Sequence, residues 1–209
     1  MSVHDAGFDD LPTAARLLTD AFSTGPIIEW AEPDPQARAG LLEPCFAAML
    51  HHPFGQVRLA RLDRPGRPIA AVALWVPEPT PDVDLDELTA GLPPGTAVQR
   101  LALLETTTAR HRPHGVYQHL AYLGVHPHWQ RHGIGSQLLT DHLTQLTTQG
   151  IPAYLEASNL HNRALYQRHG FTDLGRPIAV DDSPPIWPMW RPGTTTATPA
   201  ESATWAGQP

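Results

Sequence analysis

A glycine-rich turn lies between an apolar segment and an amphipathic segment in the second half of the chain. Two glycines at the start of a helix lower its stability, so their presence indicates a requirement for bare backbone. A strand that runs into such a turn and then into a helix can bind phosphate groups, because backbone N–H groups converge there and the helix dipole adds positive potential. The residues with this potential are Gln130, Arg131, His132, Gly133, Ile134, Gly135 and Ser136.

The spacing of the glycines excludes two common phosphate-binding motifs. A P-loop requires a lysine after its second glycine, and the chain contains no lysine. A dinucleotide-binding turn requires a third glycine three residues after the second, and "GIGSQL" does not have one. Taken alone, the turn therefore predicts either an anion site of another class or a tight connection.

The charge and cysteine content of the chain limit the kinds of partner that it can bind. The net charge is −7, from 21 acidic and 14 basic residues, and all of the basic residues are arginines. An acidic chain without basic runs is unsuited to nucleic acid and better suited to a neutral or cationic small partner. The single cysteine, Cys45, excludes an internal disulfide and a multi-thiolate metal site, so we expect no metal. Without a membrane-spanning run or a signal peptide, we expect a cytoplasmic protein without membrane association.

Apolar periodicity predicts helices and strands that alternate along most of the chain. We expect helices over 9–22, 34–52 (bent or interrupted near Pro44), 96–112, 133–150 and 159–170. Strands are expected over 55–62, 69–77, 115–125 and 151–158, with two further candidates around 171–180 and 185–190. Residues 1–191 should form one domain, and the polar, proline-bearing residues 192–209 should form a disordered tail.

The turn and the order of the elements around it resemble those of a known protein family. Gln130 to Gly135 resembles the motif Q/R-x-x-G-x-G/A of the GNAT superfamily of N-acyltransferases, and "YLEASNLHNRALYQRHGF" is similar to that family's final strand–helix segment. The resemblance implies an α/β GNAT fold: a mixed, mostly antiparallel central sheet with helices on both faces and splayed strands at the acetyl-CoA site. Its first strand must be short or missing, because so few residues precede the first helix. Segments such as "HRPHGVYQHLAYLGVHPHWQRHGIGS" further resemble the puromycin N-acetyltransferase group of actinobacterial proteins.

The resemblance also implies which residues contact acetyl-CoA. Amides of the turn would hold the pyrophosphate, and the backbone of Leu123 and Val125 would pair with the pantetheine arm. The family uses an asparagine at the position of Asn159 or Asn162 to hold this arm or to cap the helix. Asn159 is equally suited to a plain N-cap.

Acetyl transfer in this family is direct, and it requires an acid and a base. Tyr166 matches the tyrosine that donates a proton to the CoA sulfur, although a tyrosine here could also be a core aromatic. Two residues compete for the role of general base. His119 lies where some members carry a catalytic glutamate, and Glu156 lies on the next strand; water or another residue remains a third possibility.

The acceptor is expected to contact the variable first half of the chain. Aromatic walls with one or two carboxylates suit a cationic, partly aromatic amine, and the candidates are Glu29, Trp30, Trp75 and Glu78. Both tryptophans could instead be core residues. The resemblance implies N-acetylation of a small-molecule amine, such as an aminonucleoside antibiotic, by a monomer or homodimer. The alternatives are an acetyltransferase for protein lysines or another metabolite amine, and a non-enzymatic acyl-CoA sensor.

Overall fold

The computed structural model describes residues 1–80 and 95–193. Most of the acidic, proline-rich connection after residue 78 lies outside these ranges, and so does the predicted tail from residue 194 onward. The division into a domain and a tail therefore stays a prediction. Within the described ranges, no helix combines the length and the apolar character that a bilayer crossing requires.

One seven-stranded sheet forms the centre of the protein. The strands lie in the order β1-β2-β3-β4-β5-β7-β6, and every neighbouring pair is antiparallel except β4 and β5. This confirms the mixed, mostly antiparallel sheet, and the expected short first strand is present. The strands are β1 (Ser2–Asp5), β2 (Gln56–Arg61), β3 (Ile69–Glu78), β4 (Tyr117–Val125), β5 (Ala153–Ala157), β6 (Thr172–Asp173) and β7 (Trp187–Arg191).

The predicted helices are present, and a short helix that the sequence did not indicate accompanies them. The described α-helices are α1 (Leu11–Phe22), α2 (Pro26–Ala31), α3 (Pro35–Leu50), α4 (Thr96–Ala109), α5 (Ile134–Gln149) and α6 (Leu160–Arg168). The unexpected helix is α2. Helix α3 runs through Pro44 without a break, so of the predicted bend or interruption the interruption is wrong and the bend stays a prediction. Proline removes one backbone hydrogen bond there, and burial of Leu42, Phe46 and Leu50 keeps the helix on the core.

Apolar side chains bury both faces of the sheet. On the first face, α1 and α3 pack on β2 and β3 around Leu18, Phe46 and Leu74. On the second face, α5 and α6 pack around Leu138 and Leu155, among others. Helices therefore cover both faces, as predicted, and a residue's position along a strand decides which core it enters.

Strands β4 and β5 separate after a short parallel segment. Their ladder joins only Gln118–Leu120 to Ala153–Leu155, whereas β4 continues beside β3 to Val125 and β5 continues beside β7 to Ala157. A β-bulge at Ala121 accompanies the separation, since Leu74 faces Tyr122 while Trp75 faces Leu120. A bulge bends its strand and increases the local twist. The predicted splay between these strands is confirmed.

Candidate functional site

The turn before α5 presents open backbone. Gly133 is the N-cap of α5, has φ 78°, and receives no side-chain cap. A Cβ added to Gly133 would meet no heavy atom within 4 Å, so the space above the turn is free. The first N–H groups of a helix have no partner within it, so those of α5 are available at this turn as hydrogen-bond donors. Arg131 also has a positive φ, of 63°, so the chain reverses sharply before the helix.

Close packing ties the turn to the end of β4. A Cβ on Gly135 would lie 3.1 Å from Cγ2 of Val125, so glycine lets α5 approach the strand closely. The Gln130 side-chain amide donates to the Val125 carbonyl at 3.1 Å. Ser136 lies in the first turn of α5, and its Oγ is 2.7 Å from Nε2 of His169. The predicted turn and strand residues thus form one structure beside the splay.

The two competing base candidates are partners. His119 on β4 and Glu156 on β5 lie on neighbouring strands, and His119 Nε2 is 2.7 Å from Glu156 Oε2. The other oxygen, Oε1, accepts from Nε of Arg112 at 3.3 Å. Arg112 in turn donates through Nη2 to Glu105 at 2.7 Å. A chain of polar contacts therefore leads from α4 to β4.

The surroundings of Glu156 keep it ionised. Burial by itself would raise its pKa, but the charge and hydrogen bonds of His119 and Arg112 outweigh burial and lower the pKa to about 2. The same carboxylate, together with Glu105, raises the pKa of the Arg112 guanidinium against the opposing effect of burial. At neutral pH, Glu156 is thus a hydrogen-bond acceptor for both neighbours.

A cavity of about 590 Å³ opens on the first face of the sheet beside these residues. Tyr122 and Ala121 both face it, because the bulge turns two consecutive side chains to one side. Burial and the charge of Glu78 raise the pKa of Tyr117 in its wall to about 12, so this phenol is protonated at neutral pH. The lining includes Met49, His52, Val76, Glu78, Glu105, Arg112, Tyr117, His119, Ala121, Tyr122 and Glu156.

Tyr166 lies in α6, within the core of the second face. Its ring packs against Phe171, with centroids 6.0 Å apart at 64°. No residue in the described ranges hydrogen-bonds its hydroxyl, and burial raises its pKa. The group is therefore a protonated donor whose position in the core leaves both readings of Tyr166 open.

The two asparagines near α6 make local contacts. Asn159 is the N-cap of α6, and its Oδ1 accepts from the Asn162 N–H at 2.8 Å. The amide of Asn162 donates to Ser158 at 3.4 Å. Of the two roles considered for Asn159, the structure shows the cap.

The predicted acceptor residues do not come together. Trp75 is completely buried in the second-face core, where it stacks on His142 at 4.3 Å, so its predicted contact with the acceptor is wrong. Trp30 donates from Nε1 to Asp182 at 2.7 Å, and Glu29 lies 3.6 Å from Arg38. Neither lines the cavity. Glu78 does line it, and strand alternation explains the difference, because Trp75 and Glu78 face opposite sides of β3.

The sequence did not predict four residues of the site, which are Glu105, Arg112, Tyr117 and Tyr122. Arg112 reaches Glu156 across 44 positions in the chain, and no spacing rule connects a loop residue to a strand residue so far away. Tyr117 and Tyr122 lie on the predicted strand, but the bulge that brings Tyr122 to the cavity is not visible in the strand's alternation. Only the register of β3 and β4 reveals it.

Comparison with known proteins agrees with this fold. Residues 98–173 match the family model of the acetyltransferase (GNAT) domain. A Corynebacterium glutamicum protein described as histone acetyltransferase HPA2 and related acetyltransferase superposes with a TM-score of 0.71 at 24% identity, covering 94% of this chain and 98% of its own. Arylalkylamine N-acetyltransferase 2 from Aedes aegypti superposes with a TM-score of 0.62 at 12% identity, covering 91% and 98%. A ribosomal-protein alanine N-acetyltransferase from Escherichia coli gives 0.53 at 20% identity, covering 94% and 97%.

These matches define the fold of the protein. Its fold is that of the GNAT acetyltransferases, and the matched domain contains β4, the glycine-rich turn, α5, β5 and α6. Residues 98–173 match the GNAT acetyltransferase domain, and the fold of the chain is that of its GNAT neighbours. GNAT acetyltransferases use acetyl-CoA as the acetyl donor.

Proposed function

We propose that the protein transfers acetyl from acetyl-CoA directly to the amine of a small molecule. The observation that carries the proposal is the contact between His119 and Glu156, in the wall of a cavity beside the point where β4 and β5 part. An imidazole oriented by an ionised carboxylate can take a proton from an amine. Such a pair at the junction of a donor cleft and an acceptor cavity supports N-acetylation.

The residues around the splay fit acetyl-CoA. The open space above Gly133 and the free N–H groups of the first turn of α5 suit a pyrophosphate, and Arg131 and His132 adjoin them. Beyond Leu120, β4 has no ladder partner on β5 among the described residues, so Leu123 offers its backbone to a peptide-like arm. The carbonyl of Val125 already accepts from Gln130. Acetyl-CoA would supply an activated acetyl thioester.

His119 would act as the general base through Nδ1. Glu156 is ionised and can only accept, so it stabilises the tautomer with the proton on Nε2. The lone pair is then on Nδ1, and no described residue hydrogen-bonds that atom. The amine would lose its proton to Nδ1, and Glu156 would stabilise the resulting imidazolium. Tyr166, protonated because burial raises its pKa, would supply a proton to the departing thiolate.

The cavity supports a cationic acceptor with an aromatic part. Glu78 forms no salt bridge with any residue in the described ranges, whereas Glu105 and Glu156 share Arg112. On paired strands, Glu78 is opposite Tyr117 and one step diagonal from His119, a separation of ~7–8 Å between α-carbons. An amine that reacts at His119 can therefore place a second positive or donor group at Glu78. Tyr117 and Tyr122 offer ring surface to an aromatic portion.

The resemblance to the puromycin N-acetyltransferase group supports an aminonucleoside antibiotic as one such acceptor, with drug resistance as the biological role. The test is the release of CoA thiol from acetyl-CoA with puromycin, aromatic monoamines, aromatic diamines and a lysine peptide. We expect turnover with a small aromatic amine and a ~10²-fold or larger loss of kcat in His119→Gln. His4→Gln, at the edge strand β1, is the matched control and should retain full activity.

Two results would contradict the proposal. Absence of thiol release with every amine would remove the enzyme claim and favour a sensor of acyl-CoA. Turnover with the lysine peptide and with no small amine would indicate that the acceptor is a protein lysine. Within the diamine series, Glu78→Gln should raise KM for diamines and leave KM for monoamines nearly unchanged.

A further inference from the structure

The guanidinium of Arg112 joins two carboxylates from different parts of the fold. Arg112 lies in the connection between α4 and β4, three residues after α4 ends. Its Nε donates to Glu156 on β5 at 3.3 Å, and its Nη2 donates to Glu105 on α4 at 2.7 Å. No hydrogen bond joins Arg112 to His119, whereas Glu156 binds both, so the route of direct contacts from Arg112 to the base runs through Glu156.

Each oxygen of Glu156 has its own partner. Oε1 binds Arg112 and Oε2 binds His119, so the carboxylate plane is held from both sides. The side chain of Glu156 is only 13% exposed, and that of Arg112 is 21% exposed. Burying a carboxylate is costly without a paired charge, and the guanidinium of Arg112 supplies one at every pH at which the protein is folded, whatever the protonation of His119. Arg112 is therefore the permanent countercharge of Glu156.

We infer that Arg112 is a positioning residue, which holds the Glu156 carboxylate so that Oε2 is directed at His119. Glu105 on α4 accepts from Nη2 of the same guanidinium, so α4 also helps to hold Arg112 in place. The inference rests on the proposed function, in which His119 is the base. A purely structural alternative would have Arg112 only anchor the connection between α4 and β4 to the sheet.

Removal of Arg112 should change the titration of Glu156. Burial raises the pKa of Glu156, and the two groups that lower it to about 2 are His119 and Arg112. Loss of an adjacent arginine raises a carboxyl pKa by ~1–3 units. The other ionisable side chains around this cavity are His52, Glu78, Glu105, Arg110, His114, Tyr117 and Tyr122, and Tyr154 adjoins Glu156 on β5.

The decisive experiment compares Arg112→Gln with wild type by carboxyl carbon NMR of labelled glutamate and by steady-state kinetics. We expect the pKa of Glu156 to rise by ~1 unit or more. We also expect kcat to fall ~10–100-fold with little change in KM, because Glu78 and the tyrosine walls of the cavity remain while the base loses its orientation. Arg61→Gln is the matched control, since Arg61 is 20% exposed and pairs with Asp10 far from the cavity. It should leave kcat and the Glu156 titration unchanged.

An unchanged Glu156 titration in folded Arg112→Gln, or an unchanged kcat, would overturn the inference. Arg112→Lys keeps the positive charge but cannot bind Glu156 and Glu105 at the same time in the geometry of a guanidinium. This variant tests the positioning role if Arg112→Gln does not fold. In that variant we expect the pKa of Glu156 to stay low and kcat to fall ~3–10-fold; a wild-type kcat would overturn the positioning role. The NMR titration needs no substrate, so a failure of the proposed function is distinguishable from a failure of this inference.

Discussion

At the residue scale, the site combines groups with different proton-transfer properties. Glu156 is held ionised by Arg112 and His119, whereas burial keeps Tyr166 protonated. The carboxylate can accept a proton and the phenol can donate one, which leaves His119 as the group of the three whose ring can do both. The residue types were visible in the sequence, but the pairing of His119 with Glu156 was not.

The role of Tyr166 can be separated from its packing. Tyr166→Phe removes a hydroxyl that no described residue hydrogen-bonds and keeps the ring against Phe171. We expect an unchanged melting temperature and a fall in kcat of ~10–100-fold, measured by thiol release. A melting temperature and a kcat that both match wild type would assign Tyr166 to the core alone.

At the scale of elements, the site depends on how β4, β5 and α5 meet. The bulge at Ala121 separates β4 from β5, and the close contact of Gly135 with Val125 places the first turn of α5 at the opening. The donor and acceptor sides of the site are therefore positioned by one strand. Because Gly133 borders open space, a small change there alters the cleft without disturbing the core.

Two glycines in the same backbone state allow a controlled test of the turn. Gly133 has φ 78° and Gly66, in the β2–β3 connection, has φ 76°, and neither Cβ would meet an atom within 4 Å. Alanine at either position should lower the free energy of unfolding by ~1–2 kcal/mol from backbone strain. Only Gly133→Ala should raise KM for acetyl-CoA, by about tenfold, because its methyl group enters the space above the helix N-terminus. Equal KM values in the two variants would contradict an acetyl-CoA site at the turn.

At the scale of the whole molecule, a buried histidine makes stability depend on pH. His142 on α5 is 3% exposed and stacks on Trp75, and neither of its ring nitrogens has a partner among the described residues. Burial and the charge of Arg58 lower its pKa to about 4, although Asp141 and Asp5 oppose this. The folded state therefore binds this proton less readily than the unfolded state does.

Stability should fall as the pH is lowered from 6.5, the ordinary value for histidine, towards 4. The full difference corresponds to roughly 3 kcal/mol of unfolding free energy. His142→Phe keeps an aromatic ring against Trp75 and removes the titrating group, so it should lose less stability over this interval. Urea unfolding of both proteins at the two ends of the interval measures the effect, and equal losses would contradict it.

The sequence by itself determined the order of the main helices and strands, the glycine-rich turn, and the presence of His119, Glu156 and Tyr166. These features are local, since apolar periodicity and turn chemistry depend on neighbours a few residues apart. Only the tertiary structure decided that His119 and Glu156 are partners, that Arg112 completes them, and that Trp75 belongs to the core. Each of these depends on register or on contacts between distant segments, which a strand's own pattern does not encode.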